Sequence, residues 1–139
     1  MGILEKFKGL FSKKSVVREN YNAPSDRFST QTDLVAYLVE RIGPEGWATF
    51  EVSENGQNFV IQVTGESINT CTEEVDLPSI ARRIGLSTLA ETIDVNSRDK
   101  TLHHLPHASP RELAEVVHSI FLHHFKLNLA YRLEGWLES

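Results

Sequence analysis

The sequence predicts an α+β domain: an antiparallel sheet of about five strands with helices packed on one side. Three observations carry this expectation. Residues 30–43 and 109–125 repeat apolar side chains at helical spacing. Between them lie short runs rich in β-branched and aromatic residues, punctuated by Asn, Gly and Pro. The resulting order, α-β-β-β-α-β-β-α, joins its strands by short turns, which suits antiparallel pairing with the helices gathered on one face.

The first helix of the domain begins at Thr30, whose hydroxyl suits an N-cap, with Asp33 placed to favour the helix N-terminus. Leu34, Tyr37, Leu38 and Ile42 form its apolar face, widened by Val35 and Val39, and Gly43-Pro44 stops it. Residues 47–52 and 58–64 read as strands. Asn55-Gly56 between them is a hairpin signal, because both residue types tolerate positive φ. Residues 67–72 read as a third, more polar strand at a sheet edge or facing solvent. Residues 76–85 read as a short helix, with Asp76 as cap, Pro78 in the first turn and Gly85 as the C-terminal stop. Leu89, Ile93 and Val95 suggest a fourth strand, although Ala90 and Glu91 suit a helix equally. Residues 96–99 read as a turn and 101–105 as a fifth strand.

The last long helix has the strongest signal. Ser109-Pro110-Arg111-Glu112 is a capping box with proline at the first helical position. Leu113, Val116, Val117, Ile120 and Phe121 line one face, with more apolar positions than one face needs, which suggests dimerisation through this helix. The domain is expected over residues 30–126. Residues 127–139 continue apolar (Leu127, Leu129, Tyr131, Leu133, Trp136, Leu137) and are expected to form a C-terminal helix or arm.

Ahead of the domain, residues 19–29 read as a polar linker and residues 1–18 as a basic amphipathic segment. Ile3, Leu4, Phe7, Leu10 and Phe11 fall at helical spacing, with Lys6, Lys8, Lys13 and Lys14 largely on other faces. This pattern suits three roles. One is contact with an anionic membrane through Ile3, Leu4, Phe7, Lys8, Phe11, Lys13 and Lys14. Another is docking on a partner through Phe7, Leu10 and Phe11. The third is packing on the chain's own domain. Lys6 stands where a myristoylation signal wants Ser or Thr, so Gly2 is not read as a lipidation site.

Composition narrows the function. The 139 residues are 40% hydrophobic and 24% charged, a globular rather than disordered balance. Net charge is −5, divided as +4 in residues 1–18 and −9 in the remainder. An acidic body lacks the clustered Lys and Arg that phosphate contacts require, so nucleic acid is not an expected partner. The lone Cys71 cannot form an internal disulfide. With neither a signal peptide nor an apolar run long enough to span a bilayer, this fits a cytoplasmic protein, peripheral to a membrane only if residues 3–14 bind one.

No residue pattern points to catalysis or to a cofactor. His103-His104-x-x-His107 offers imidazoles to a metal, but adjacent strand residues point to opposite faces. His118 and His123, five apart on a helix, are not expected to share a face, and no HExxH pattern occurs. Cys71 reads as a small, partly buried thiol. Glu73, Glu74 and Asp76 read as a solvated turn. Trp47 reads as core, and Trp136, near the chain end, as a candidate for partner contact.

Over residues 30–125 the element order, the Ile84-Gly85-Leu86 end of the short helix and the Ser109-Pro110-Arg111-Glu112-Leu113 start of the last one resemble the type III secretion chaperone-like superfamily, including its YbjN-like group. The resemblance implies a protein that binds peptide segments or partner proteins, often as a dimer, without catalytic residues. The leading expectation is therefore a noncatalytic, chaperone-like protein- or peptide-binding module. The alternatives are a peripheral membrane-associated regulator tethered by residues 3–14, and a metal-binding enzyme or sensor using His103, His104 and His107.

Overall fold

A computed structural model describes residues 18–139. It has the predicted class, helices on one side of an open antiparallel sheet. In chain order the elements are β1 (Tyr21–Ala23), α1 (Gln31–Val39), β2 (Trp47–Glu54), β3 (Gln57–Val63), β4 (Ser67–Asn69), α2 (Leu77–Arg83), α3 (Ser87–Ala90), β5 (Asp94–Val95), β6 (Leu102–His104), α4 (Pro110–Ser119), a π-helical turn (Ile120–His124) and β7 (Leu133–Glu138). The described sheet has seven strands in the order β1-β7-β2-β3-β4-β6-β5.

The local signals act where the sequence places them. Thr30 Oγ1 accepts the Asp33 amide at 3.1 Å and starts α1. The Asp33 carboxylate turns instead to Arg111, 3.3 Å away at the start of α4, tying the two helices together. Asn55 and Gly56 take φ of 53° and 77°, and Glu54 pairs with Gln57 across this two-residue turn. Asp76 caps α2, and Gly85 ends it at φ 85°. The capping box at Ser109 is complete: Ser109 Oγ accepts the Glu112 amide, and Glu112 Oε1 accepts the Ser109 amide.

Alternation then builds the core. Phe50, Ile61, Ile68 and Leu133 point from four adjacent strands toward Leu34, Leu38, Leu113, Val117 and Phe121 on the helices, and all are fully buried. Gly135 lets α1 approach the sheet. A Cβ there would lie 2.9 Å from Leu38 Cδ1 and 2.9 Å from Phe50 Cδ1.

Four expectations need correction. Residues 127–139 form neither a helix nor a free arm. Their last part is β7, inserted between β1 and β2, because Leu133-Glu134-Gly135-Trp136-Leu137-Glu138 alternates at strand period. The expected linker at 19–29 belongs to the fold. Tyr21–Ala23 pairs with β7, and Phe28 is buried in an aromatic group with Tyr21 and Tyr37 that Arg27 and Arg41 overlie.

The polar β4 is an interior strand rather than an edge, with its Ser67 and Asn69 buried. Leu89 belongs to the short α3, which leaves only Asp94 and Val95 for β5. The apolar positions of α4 are buried within this chain, chiefly against α1 and α2.

Candidate functional site

The sheet ends at β5, and β5 borders a cleft. The loop 96–101 that joins β5 to β6 is shaped by its own side chains. Asn96 Oδ1 accepts the amides of Arg98 and Asp99, and Asp99 Oδ1 accepts the amide and hydroxyl of Thr101. On the opposite wall, Glu74 takes φ 71° and Asp76 caps α2, which brings Val75 and Pro78 to face Ile93 and Val95. These four apolar side chains form part of the lining of an open cleft of about 420 Å³. Glu73, Glu74, Asp76 and Lys100 also line the cleft and make it predominantly acidic.

His103 completes the lining. It lies on the helix side of β6, paired with Ile68 on one side and Val95 on the other. Its side chain is 3% exposed, and neither ring nitrogen has a hydrogen-bond partner among the described residues. Burial lowers its pKa, an effect that the Asp99 carboxylate only partly opposes, so the ring is neutral at pH 7. A neutral imidazole presents one donor and one acceptor. The cleft thus combines apolar walls, an acidic lining and an unused donor–acceptor pair.

The adjoining edge is open. β5 pairs with β6 on one side only, and Val95 is 48% exposed. Asn96 donates its amide inward to Leu102 at 2.9 Å, so in an antiparallel ladder the amide and carbonyl of Val95 point outward.

The structure separates the histidines that the sequence grouped. His103 faces the helices. His104 lies on the other face, 3.2 Å from Ser67 Oγ, and His107 sits in a loop at φ 66°. Among the described residues no group of three or more His, Cys, Asp or Glu side chains could hold a metal ion.

The last helix ends in a π-helical turn at Ile120–His124, and burial, the larger cause, together with the charge of His123 lowers the His118 pKa. His118 Nδ1 lies 2.7 Å from Tyr131 Oη.

Cys71 lies beyond β4 at φ 57° rather than within a strand. The residue is exposed, but its Sγ turns in toward Gln62 Oε1 (3.9 Å) and Asn69 O (3.7 Å), and burial pushes the thiol up to about 11. A raised thiol pKa is the opposite of an activated nucleophile.

Trp136, the sequence's candidate for partner contact, is 6% exposed because it lies within β7. Its Nε1 donates to Glu138 Oε1 at 2.7 Å, and Arg18 stacks on its ring at 3.9 Å. The proposed contacts of Ile3, Leu4, Phe7, Lys8, Leu10, Phe11, Lys13 and Lys14 lie outside the described residues.

No residue pattern marks the cleft in advance. Val75, Val95 and His103 meet there only through strand pairing and the fold of two loops. The pattern that drew attention was the histidine cluster, and only one of its members lines the cleft. No protein-family model matches the chain, and no curated protein or solved structure matches it.

Proposed function

We propose that the protein is a noncatalytic peptide-binding module, chaperone-like in action, that takes up an extended segment of a protein partner along the free edge of β5. The observation that carries this reading is His103: a buried, neutral imidazole without hydrogen-bond partners among the described residues, lining a cleft beside an open strand edge. A peptide strand pairs with the outward amide and carbonyl of Val95 and drops one side chain into the cleft. The chemistry of the cleft selects that side chain: a small apolar body with a hydroxyl or amide that bonds one imidazole nitrogen. The Glu73, Glu74 and Asp76 carboxylates favour a basic residue nearby. Because β5 contributes only two residues, the pocket rather than the ladder must supply most of the specificity. The raised pKa of the only thiol supports the noncatalytic part of this reading.

The test is titration of the isotope-labelled full chain with a randomised pentapeptide library, read by amide chemical shifts. The reading requires changes centred on Val75, Val95 and His103, and their loss in His103→Leu. Peptide binding that leaves these amides unmoved, or binding unchanged in His103→Leu, refutes it.

A further inference from the structure

Behind the His103 cleft, on the opposite face of the sheet, three polar side chains stand in line. Strand register sets Ser67 of β4 beside His104 of β6, and His104 beside Asp94 of β5. Directly opposed residues of an antiparallel sheet share a face, and alternation puts this face away from His103 and Val95. Ser67 Oγ lies 3.2 Å from His104 Nδ1. Ser67 is buried, whereas His104 and Asp94 are exposed. Together with Val95, Asn96 and Leu102 they line an open cleft of about 350 Å³.

The row does not make a nucleophilic triad. Among the described residues Asp94 makes no hydrogen bond to the imidazole, so the base lacks the orienting partner that activation of Ser67 requires. What the row offers is a charge. The Asp94 carboxylate has no ion-pair partner among the described residues. The half-buried Leu102 and the His104 ring, held by Ser67, provide a wall beside it.

Val95 lines both this cleft and the His103 cleft, so β5 is a thin partition with a hollow on each side. A strand paired with β5 presents successive side chains to opposite hollows. The outward amide and carbonyl of Val95 fix which residue enters which. The residue bonded to Val95 carries its side chain on the helix side, at His103, and its two neighbours carry theirs on the other side, opposite Asp94 and Asn96. Every described pairing in the sheet is antiparallel. In that direction the residue opposite Asp94 follows the one opposite Val95.

We infer that the second cleft is a subsite for a lysine or arginine immediately C-terminal to the residue held in the His103 cleft, with its stem against Leu102 and His104 and its charge at Asp94. The inference rests on the peptide-binding reading of the β5 edge and adds the next residue to what that edge recognises. Long basic side chains suit such a hollow because they lay an aliphatic stem on apolar surface and keep the charged end toward water. The charge balance agrees: residues 19–139 carry a net −9, which draws basic segments to this domain.

The test uses the isotope-labelled full chain and three blocked hexapeptides, Ala-Val-Thr-Xaa-Val-Ala, in which Xaa is arginine, glutamine or glutamate. Amide shifts at Val95 and His103 report the first cleft, and those at Ser67, Asp94 and His104 report the second. The arginine peptide should bind about threefold to fivefold tighter than the glutamine peptide, the range of an exposed ion pair, and the glutamate peptide should bind weakest. Asp94→Asn should erase the difference between arginine and glutamine, and Asp94→Lys should put the glutamate peptide first.

Equal binding of the three peptides, with shifts at Val95 and His103, overturns the subsite and leaves the edge reading standing. A preference for arginine that survives both Asp94 variants, or that shifts the amides of Glu73, Glu74 and Asp76 instead, does the same. Failure of every peptide to shift Val95 and His103 overturns the edge reading and the subsite together.

Discussion

Replacing His103 by leucine should stabilise the protein while abolishing the binding proposed for the β5 edge. The imidazole is 3% exposed, and its two nitrogens find no hydrogen-bond partner among the described residues. A buried polar group left in that condition costs about 1–3 kcal/mol. Leucine is close to histidine in volume, has no polar atom to desolvate, and would meet Val75, Val95 and Ile93 with apolar surface.

A gain of about 1–3 kcal/mol is therefore expected. With an unfolding entropy of about 2.1 cal/mol/K per residue over 139 residues, each kcal/mol moves the midpoint by about 3 °C, so Tm should rise by about 3–10 °C. Urea denaturation at pH 7.5, followed by circular dichroism at constant slope, measures the change in free energy directly. The peptide titration on the same variant should show no binding. A variant destabilised by more than about 1 kcal/mol would refute the reasoning, because the imidazole nitrogens would then be contributing to the fold rather than held ready for a ligand.

Two further outcomes follow from the same geometry. Gly135→Ala should destabilise, although alanine in a strand normally gains about 0.5–1 kcal/mol over glycine. Its methyl would crowd Leu38 and Phe50 at 2.9 Å, and overpacking of that kind costs about 1–3 kcal/mol. The loss should shrink in a Leu38→Ala background, and a rise in the urea midpoint would count against the packing described.

Stability should also fall on acidification below pH 6.5. The pKa values of His103 and His118 are both lowered by burial, so their stabilising contribution is complete above the unfolded value of about 6.5 and is lost as pH falls from there through the folded values. Thermal melts at fixed ionic strength between pH 8 and pH 5.5 check this. His103→Leu should flatten the slope, and a Tm that rises toward acid would contradict the burial of both rings.

The elements legible from sequence are those whose signals are local. Ser109 and Glu112 close a capping box three residues apart, Asn55-Gly56 turns a hairpin with no help from elsewhere, and Asp76 and Gly85 bracket α2 from within ten residues. The π-helical turn at Ile120–His124, where the Phe121 and Phe125 rings pack 5.9 Å apart, left no mark in the residue types. The edge cleft was equally silent, because its walls come from segments some twenty residues apart, joined by the pairing of Val95 with His103.

By itself the sequence determined the class of fold, the positions of its capped helices and its central hairpin, and the division between a basic N-terminal segment and an acidic body. Capping, turn chemistry and charge act within a few residues and are written there. Only the tertiary structure decided that the last six strand residues enter the sheet between its first two strands, that the stretch around Tyr21 joins them, and that Trp136 is covered rather than displayed. Strand partners are chosen by hydrogen bonds and contacts made across a hundred residues of chain, and no local pattern in Leu133–Glu138 names β1 and β2 as the strands that receive it.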